Sequence, residues 1–331
     1  MSSLKDSRAQ ATLQKATAAF RRGQLDEAAR GLRQVLKHDP AHAQAMRMMG
    51  IVAQHRQQPA EAIQWLTQAV ERAPDAETCL RLGTLVAAQG DWISAEACFA
   101  ASCAMQADVA AAQYNRGVAL DALDRLPEAI DAFERAIALD GHDLAAFLAL
   151  GMAYRRLGAH DAALVAFDCA AGVSPGDVRP GLERARTLMA MARFADMLAM
   201  LDPLCTMPPG DPEVQNLRGI ALRQIGRVDE ALTAYDLALQ TRPDAIEPLN
   251  NRGNLLLLNR RFSAALADFD RALASDPRLD WLPGLRLYTA MHLYDWTDLP
   301  ARRAALLADV ALDRRSVQPL ALQGMVDDPG A

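Results

Sequence analysis

Aromatic residues are scarce, at 5% of 331 residues, and runs of β-branched residues are few. Sandwiches and barrels build their strands from Val, Ile, Thr and aromatics, so this scarcity argues against both. Long apolar stretches are missing too: none approaches the ~18 residues that a membrane helix needs. The opening run Met-Ser-Ser-Leu-Lys-Asp-Ser-Arg (1–8) lacks the apolar core of a signal peptide, so the expected location is cytoplasmic, with no membrane partner. The five cysteines (Cys79, Cys98, Cys103, Cys169, Cys205) are odd in number and include no Cys-x-x-Cys. In a reducing compartment they read as small buried apolar side chains. Basic charge is not in excess either. Lys and Arg number 35 against 41 Asp and Glu, a net charge of −6, which argues against a nucleic-acid partner held by phosphate neutralisation.

Catalytic signatures are equally lacking. There is no Gly-rich phosphate loop, nucleophile elbow or zinc-ligand spacing. His38 and His42 flank Pro40 in a loop, and acidic pairs such as Asp26-Glu27 and Asp229-Glu230 are helix-start residues. No catalytic residue, cofactor or metal site is expected in this chain.

What the chain does have is alanine, about a fifth of all residues, and a mean hydropathy of −0.04. Alanine loses least on entering a helix, so the composition predicts an all-α, folded protein. A period of 34 residues organises it. Glycine recurs at Gly50, Gly83, Gly117, Gly151, Gly219 and Gly253, with Ala16 and Ala185 in the same column. A second column holds Ala28, Ala62, Ala95, Ala129, Ala163, Ala231 and Ala265, broken only by Met197. A third holds Leu32, Leu66, Phe99, Phe133, Phe167, Leu201, Tyr235 and Phe269. A fourth holds Pro40, Pro74, Pro175, Pro209, Pro243 and Pro277, with Ala107 and Gly141 substituting.

Counted from Ala9, these columns are slots 8, 20, 24 and 32. Small residues in slots 8 and 20 let two antiparallel helices approach, and the large residue in slot 24 fills the space between them. Proline in slot 32 marks the loop to the next repeat. Between the helices a glycine, as in Arg-Gly-Gln-Leu-Asp-Glu-Ala (22–28), is expected to close the first helix in a left-handed cap.

With the small residues of slot 27 (Ala69, Ser102, Ala136, Ala170, Ala238, Ala272), the columns resemble the tetratricopeptide repeat. The resemblance covers residues 9–279, eight repeats, between a polar tail (1–8) and a C-terminal segment (280–331). It implies a right-handed superhelix of helical hairpins, an α-solenoid, whose inner groove is lined by the first helix of each pair. A protein or peptide would bind there. In such a fold slots 2, 5, 6, 9, 12 and 13 face inward. Without slot 6, that face carries Arg21, Arg47, Arg155, Arg156, Arg179, Arg186 and Arg223 against Glu77, Asp121, Glu213 and Glu247. The densest group, Arg155, Arg156, Arg179 and Arg186, suits an acidic segment or a free carboxylate, with a solvated cationic face as the alternative. In glycosyltransferase-linked members an Asn ladder in slot 6 clamps an extended peptide. Here only Asn115 and Asn251 match, with Asn216 and Asn250 one position early. The Lys and Asn clamp of chaperone-binding members is not reproduced.

Repeat six (178–211) departs from the pattern, with Met197 in the alanine column, Met189, Met191, Met200 and Met207 around it, and Pro203 within its second helix. Tolerated drift and a looser functional joint both fit. After Pro277 the repeat is expected to end. Helical spacing of Leu285, Tyr288 and Met291 or His292 predicts one further helix. Thr297 or Asp298 would cap a second from about Pro300 to Leu312, giving a hairpin that covers the last repeat. The runs Met291–Asp298, Gln318–Leu322 and Asp327–Pro329 also resemble the junction between repeats and nucleotide-sugar-dependent domain in bacterial relatives of the protein O-linked N-acetylglucosamine transferases. That resemblance implies a substrate-selecting arm with a possible glycosyltransferase domain downstream. The alternative is a stand-alone adaptor for assembly or regulation.

Overall fold

The computed structural model describes residues 2–205, 211–295, 297, 299–312 and 315. Among these residues all regular structure is helical, in eighteen helices that alternate as the first and second members of hairpins. The first five hairpins are α1 (Ser2–Arg21) with α2 (Leu25–His38), α3 (Ala43–His55) with α4 (Pro59–Arg72), α5 (Ala76–Ala87) with α6 (Trp92–Met105), α7 (Ala110–Ala122) with α8 (Leu126–Leu139), and α9 (Leu144–Arg156) with α10 (His160–Val173). Then follow α11 (Val178–Ala190) with α12 (Phe194–Leu204), α13 (Pro212–Gln224) with α14 (Val228–Thr241), α15 (Ile246–Leu258) with α16 (Phe262–Ser275), and α17 (Leu282–His292) with α18 (Leu299–Ala311). The chain forms two compact units, Met1–Pro175 and Gly176–Ala331, each a stack of hairpins.

Packing within a hairpin follows the columns. Every slot-20 residue, from Ala28 to Ala265 and including Met197, is wholly buried. Slot 8 is set by slot 24 across the hairpin. A Cβ built on Gly117 would lie 2.5 Å from Phe133 Cε1, far inside van der Waals contact. The glycine is therefore the space into which the ring fits. Where slot 8 is alanine (Ala16, Ala185), slot 24 is the smaller Leu32 or Leu201. Every aromatic in slot 24 thus faces a glycine, as close packing demands, while Leu66 also faces a glycine, Gly50.

The turn inside each hairpin is as regular as the core. Gly23, Gly90, Gly158 and Gly226 close their helices with φ between +76° and +84°. At the same position the other four repeats place Gln57, Asp124, Ala192 and Arg260, with φ between +55° and +59°. In each case the following N–H returns to a carbonyl five residues back, as from Gln24 to Ala19 and from Arg193 to Leu188 (3.0 and 2.9 Å). That bond satisfies a carbonyl the helix end would otherwise leave open. Between repeats, Asp75, Asp143, Asp177 and Asp211 accept N–H groups at the start of the next first helix, the usual aspartate cap.

Three departures from expectation have local causes. α1 begins at Ser2, ahead of Ala9, so residues 2–8 extend the first helix. In repeat six α12 has 11 residues against 14 for the second helices of the other repeats. Pro203, with no N–H to donate, stands one residue before its end. Met207 and Pro209 lie outside the described residues.

The third departure is in the C-terminal hairpin, which keeps the phase of the repeat after the columns have vanished. Tyr294 (φ +57°) follows Arg260 by one repeat interval, and Asp295 N–H returns to Ala290 O at 3.1 Å. Leu287 stands in slot 8, Leu299 in slot 20 and Arg303 in slot 24. The bulk between the helices comes from both of them: Leu287 of α17 and Leu306 of α18 are buried, with Met291 and Leu299 packed against them. Trp296, Asp298, Gln318–Leu322 and Asp327–Pro329 lie outside the described residues.

Candidate functional site

The first-helix face is where the predicted side chains sit, and ion pairs within the chain occupy much of it. In the first unit, Arg156 on α9 binds Asp121 Oδ1 (2.6 Å), the Asp121 carbonyl (3.2 Å) and Asp124 Oδ1 (2.8 Å). Arg155 beside it is half-buried. Asn115 on α7 is half-buried, with no side-chain hydrogen bond to another described residue. Arg47 pairs with Asp75 at 3.2 Å.

In the second unit, Arg179 is exposed and turned back onto Asp177, with Nη2–Oδ2 at 2.6 Å. That guanidinium holds the Asp177 carboxyl below its ordinary value. Arg186 on α11 bridges Glu183 of its own helix and Glu213 of α13. Arg223 on α13 is half-buried and makes no ion pair with a described residue.

Asparagines gather on α13 and α15. Asn251 Nδ2 donates to Asn216 Oδ1 at 3.0 Å, and Asn254 Nδ2 donates to the side-chain and backbone oxygens of Asn250 (2.9 and 2.8 Å). Asn216 is 8% exposed. The Asn216–Asn251 pair leaves the Asn216 amide donors and the Asn251 oxygen, enough to answer both halves of one peptide group. Asn216 also lines a cleft of about 410 Å³ with Arg186, Glu213, Arg242, Glu247 and Pro248.

Behind Arg223 lies Tyr235, the tyrosine in a column otherwise of Phe and Leu. Its side chain is fully buried and its hydroxyl makes no hydrogen bond. Burial pushes the phenol pKa up to about 12, opposed by the Arg223 guanidinium.

A family model described as Tetratricopeptide repeat matches residues 13–77, 80–143, 125–177 and 182–246. The chain belongs to the tetratricopeptide repeat family. No curated protein shows a significant sequence match. Among solved structures, MamA protein is 24% identical over 50% of this chain and 92% of that one, with a TM-score of 0.48. The structure of Pseudomonas aeruginosa pilF is 18% identical over 65% and 99%, at 0.49. YrrB, described as a tetratricopeptide repeat protein with an unusual peptide-binding site, is 20% identical over 54% and 92%, at 0.42. None of the three bears on what this tetratricopeptide repeat chain binds.

Comparison of repeats slot by slot misses the contacts between neighbouring first helices, because they run at a different interval. Asn251 meets Asn216, and Arg156 meets Asp121, at a separation of 35. Slot 6 of one first helix thus reaches slot 5 of the one before, and slot 13 reaches slot 12. A search at 35 would have joined Asn216 to Asn251. No helix is long and apolar enough to cross a membrane, and no group of three or more metal-ligating side chains occurs among the described residues.

Proposed function

We propose that this tetratricopeptide repeat chain is a protein-binding scaffold that grips an extended, acidic peptide segment on its first-helix face. The observation that carries the reading is that α13 carries both Asn216, paired with Asn251 of α15, and Arg223, a cation with no ion pair to a described residue. Seven residues of helix separate them, about 10 Å. An extended peptide advances roughly 3.3 Å per residue, so the carboxylate would sit about three positions from the clamped peptide group. Arg179 and Arg186 belong to the same proposed face of the second unit, and Asn115, Arg155 and Arg156 stand on first helices of the first unit. The pairs at Arg156 and Arg186 are part-exposed, and exposed pairs are worth little, so a ligand carboxylate can exchange with the resident one.

The test is capture of partners by the purified chain with a zero-length crosslinker. Asn216→Ala with Asn251→Ala should cut peptide capture roughly tenfold, the loss of one or two charge-free hydrogen bonds and their alignment. Unchanged capture by that variant and by Arg155→Ala with Arg186→Ala would remove the face from the account.

A second, narrower reading has support from the sequence of 280–331 alone: that the scaffold is the substrate-selecting arm of an O-linked glycosyltransferase-like protein. It predicts that the reading frame continues past Ala331 into an α/β nucleotide-sugar domain. Sequencing the downstream DNA tests it, and an adaptor ending without such a domain would limit the reading to ancestry.

A further inference from the structure

The aromatic rings at the turn end of α17 are surplus to the packing of their hairpin, whose core is Leu287 and Leu306 with Met291 and Leu299 against them. Tyr288 and His292, one turn apart on α17, meet edge to face with ring centroids 4.5 Å apart. Phe262, the first residue of α16, stacks on the His292 imidazole at 4.7 Å with 4° between the ring planes. Tyr288 is still 42% exposed, and Tyr294 is 81% exposed. Tyr294 lies two residues beyond His292, so the two Cα atoms are within ~7.6 Å of each other. It holds φ at +57°, at a turn position where the other hairpins place Gly, Gln, Asp, Ala or Arg. A bulky ring in that conformation, left in water, costs free energy and adds nothing to the core. Contiguous exposed apolar surface of this kind marks an interaction site.

The charges around these rings select the partner. Arg260 and Arg261 immediately precede Phe262. Arg260 is exposed and makes no ion pair with a described residue, and Arg261 reaches the exposed Asp229 only loosely, at 3.7 Å. Asp295, the carboxylate beside Tyr294, is already engaged by the Thr297 N–H at 3.0 Å and by Arg302 at 3.8 Å. The uncommitted charge is therefore positive. A bare tyrosine face also attracts Lys or Arg, but the two guanidiniums repel such a partner. We propose that this turn edge of the last two hairpins is a second docking surface, for an acidic peptide segment that carries an aromatic side chain. The partner's ring packs on Tyr288 and Tyr294, beside the His292–Phe262 stack, and its flanking carboxylates pair with Arg260 and Arg261. The proposal does not rest on the reading of the Asn216–Asn251 face.

The deciding experiment titrates the full chain with the peptide Glu-Asp-Glu-Trp-Glu-Asp-Glu and with a control in which Lys replaces every acid. Affinity is read from the carbon-13 signal of the His292 ring, assigned through His292→Gln, so binding elsewhere on the chain does not contribute. The acidic peptide should shift the His292 signal and leave that of His38 unmoved. Tyr288→Ala with Tyr294→Ala should weaken the titration roughly tenfold, the loss of two aromatic contacts. Arg260→Gln with Arg261→Gln should weaken it several-fold and flatten its dependence on salt. All four side chains are exposed, so both variants should melt as the native chain does by circular dichroism. Asn216→Ala with Asn251→Ala should leave the titration unchanged. An unmoved His292 signal in the native chain, undiminished affinity in the tyrosine variant, equal affinity for the lysine peptide, or loss of the shift in the asparagine variant overturns the proposal.

Discussion

Arg286 meets Asp270 at 2.5 Å across sixteen residues, the separation at which Arg252 meets Asp236 and Arg218 meets Asp202. Each bond ties the first helix of one hairpin to the second helix of the hairpin before. The ladder runs through α13, α15 and α17, so the C-terminal hairpin is fastened in the same way as its predecessors.

The rungs differ in weight. Arg252 also grips Asp268 with two hydrogen bonds (2.8 and 2.6 Å), and Asp268 is 2% exposed. Both carboxylates hold the guanidinium pKa well above its ordinary value. Arg252→Ala would leave a buried carboxylate without its partner and should cost about 3 kcal/mol or more. Arg286→Ala strips a half-exposed partner, Asp270, and should cost less than about 1 kcal/mol. Urea denaturation followed by circular dichroism compares the two; equal losses would refute the difference in burial.

Enlarging slot 8 should fail in proportion to the ring opposite. Gly117→Val places methyls where Phe133 already lies, and overpacking of this kind costs roughly 1–3 kcal/mol. Gly117→Val combined with Phe133→Leu should recover part of that loss, as the natural Ala185–Leu201 pairing suggests. A melting temperature unmoved by Gly117→Val would contradict the shared-volume account.

The turn offers a gain in stability. Ala192 stands at φ +55°, a conformation costing an L-residue about 1 kcal/mol or more that glycine does not incur. Ala192→Gly should raise stability by roughly 0.5–1 kcal/mol after glycine's greater unfolded entropy is subtracted. A lower melting temperature would show that the turn conformation is unstrained.

How far the fold could be read from the sequence depended on which atoms specify it. Side-chain volume specifies the hairpin core, so Gly117, Ala129 and Phe133 announced it. Backbone dihedrals specify the turn, and Gln57, Asp124, Ala192 and Arg260 adopt the left-handed conformation without being glycine, so half of the turns carried no residue signal. The last hairpin was hidden because Leu287 in slot 8 and Arg303 in slot 24 depart from the columns, with Leu306 supplying the second helix's share of the core, while the turn at Tyr294 and the Arg286 rung persisted. At the candidate site the charges were visible, but their mutual pairing was not. Nothing in a 34-residue comparison indicates that Arg186 is occupied by Glu183 and Glu213, or that Asn251 reaches Asn216.

Alkaline pH tests the burial of Tyr235. Its folded pKa is pushed from 10 up to about 12, so the unfolded chain releases the proton first as pH rises. Stability from this group is complete below pH 10 and is lost as pH climbs toward 12, by at most about 2–3 kcal/mol. Tyr154, raised to about 12 by its hydrogen bond to Glu134, also titrates there. The difference between the native chain and Tyr235→Phe isolates Tyr235. Tyr235→Phe should lose less stability than the native chain between pH 9.5 and 11.5, and parallel curves would place the phenol in water.

The central claim is that α13 and α15 grip an extended acidic segment through the Asn216–Asn251 pair and Arg223. Its most direct measurement is selection of peptides from a displayed random library on the purified chain, followed by affinity determination against Asn216→Ala/Asn251→Ala and Arg223→Gln. The account predicts that selected peptides carry an acidic residue and bind both variants roughly tenfold or more weakly. Peptides without acidic residues, or peptides that bind the variants as tightly as the native chain, would contradict it.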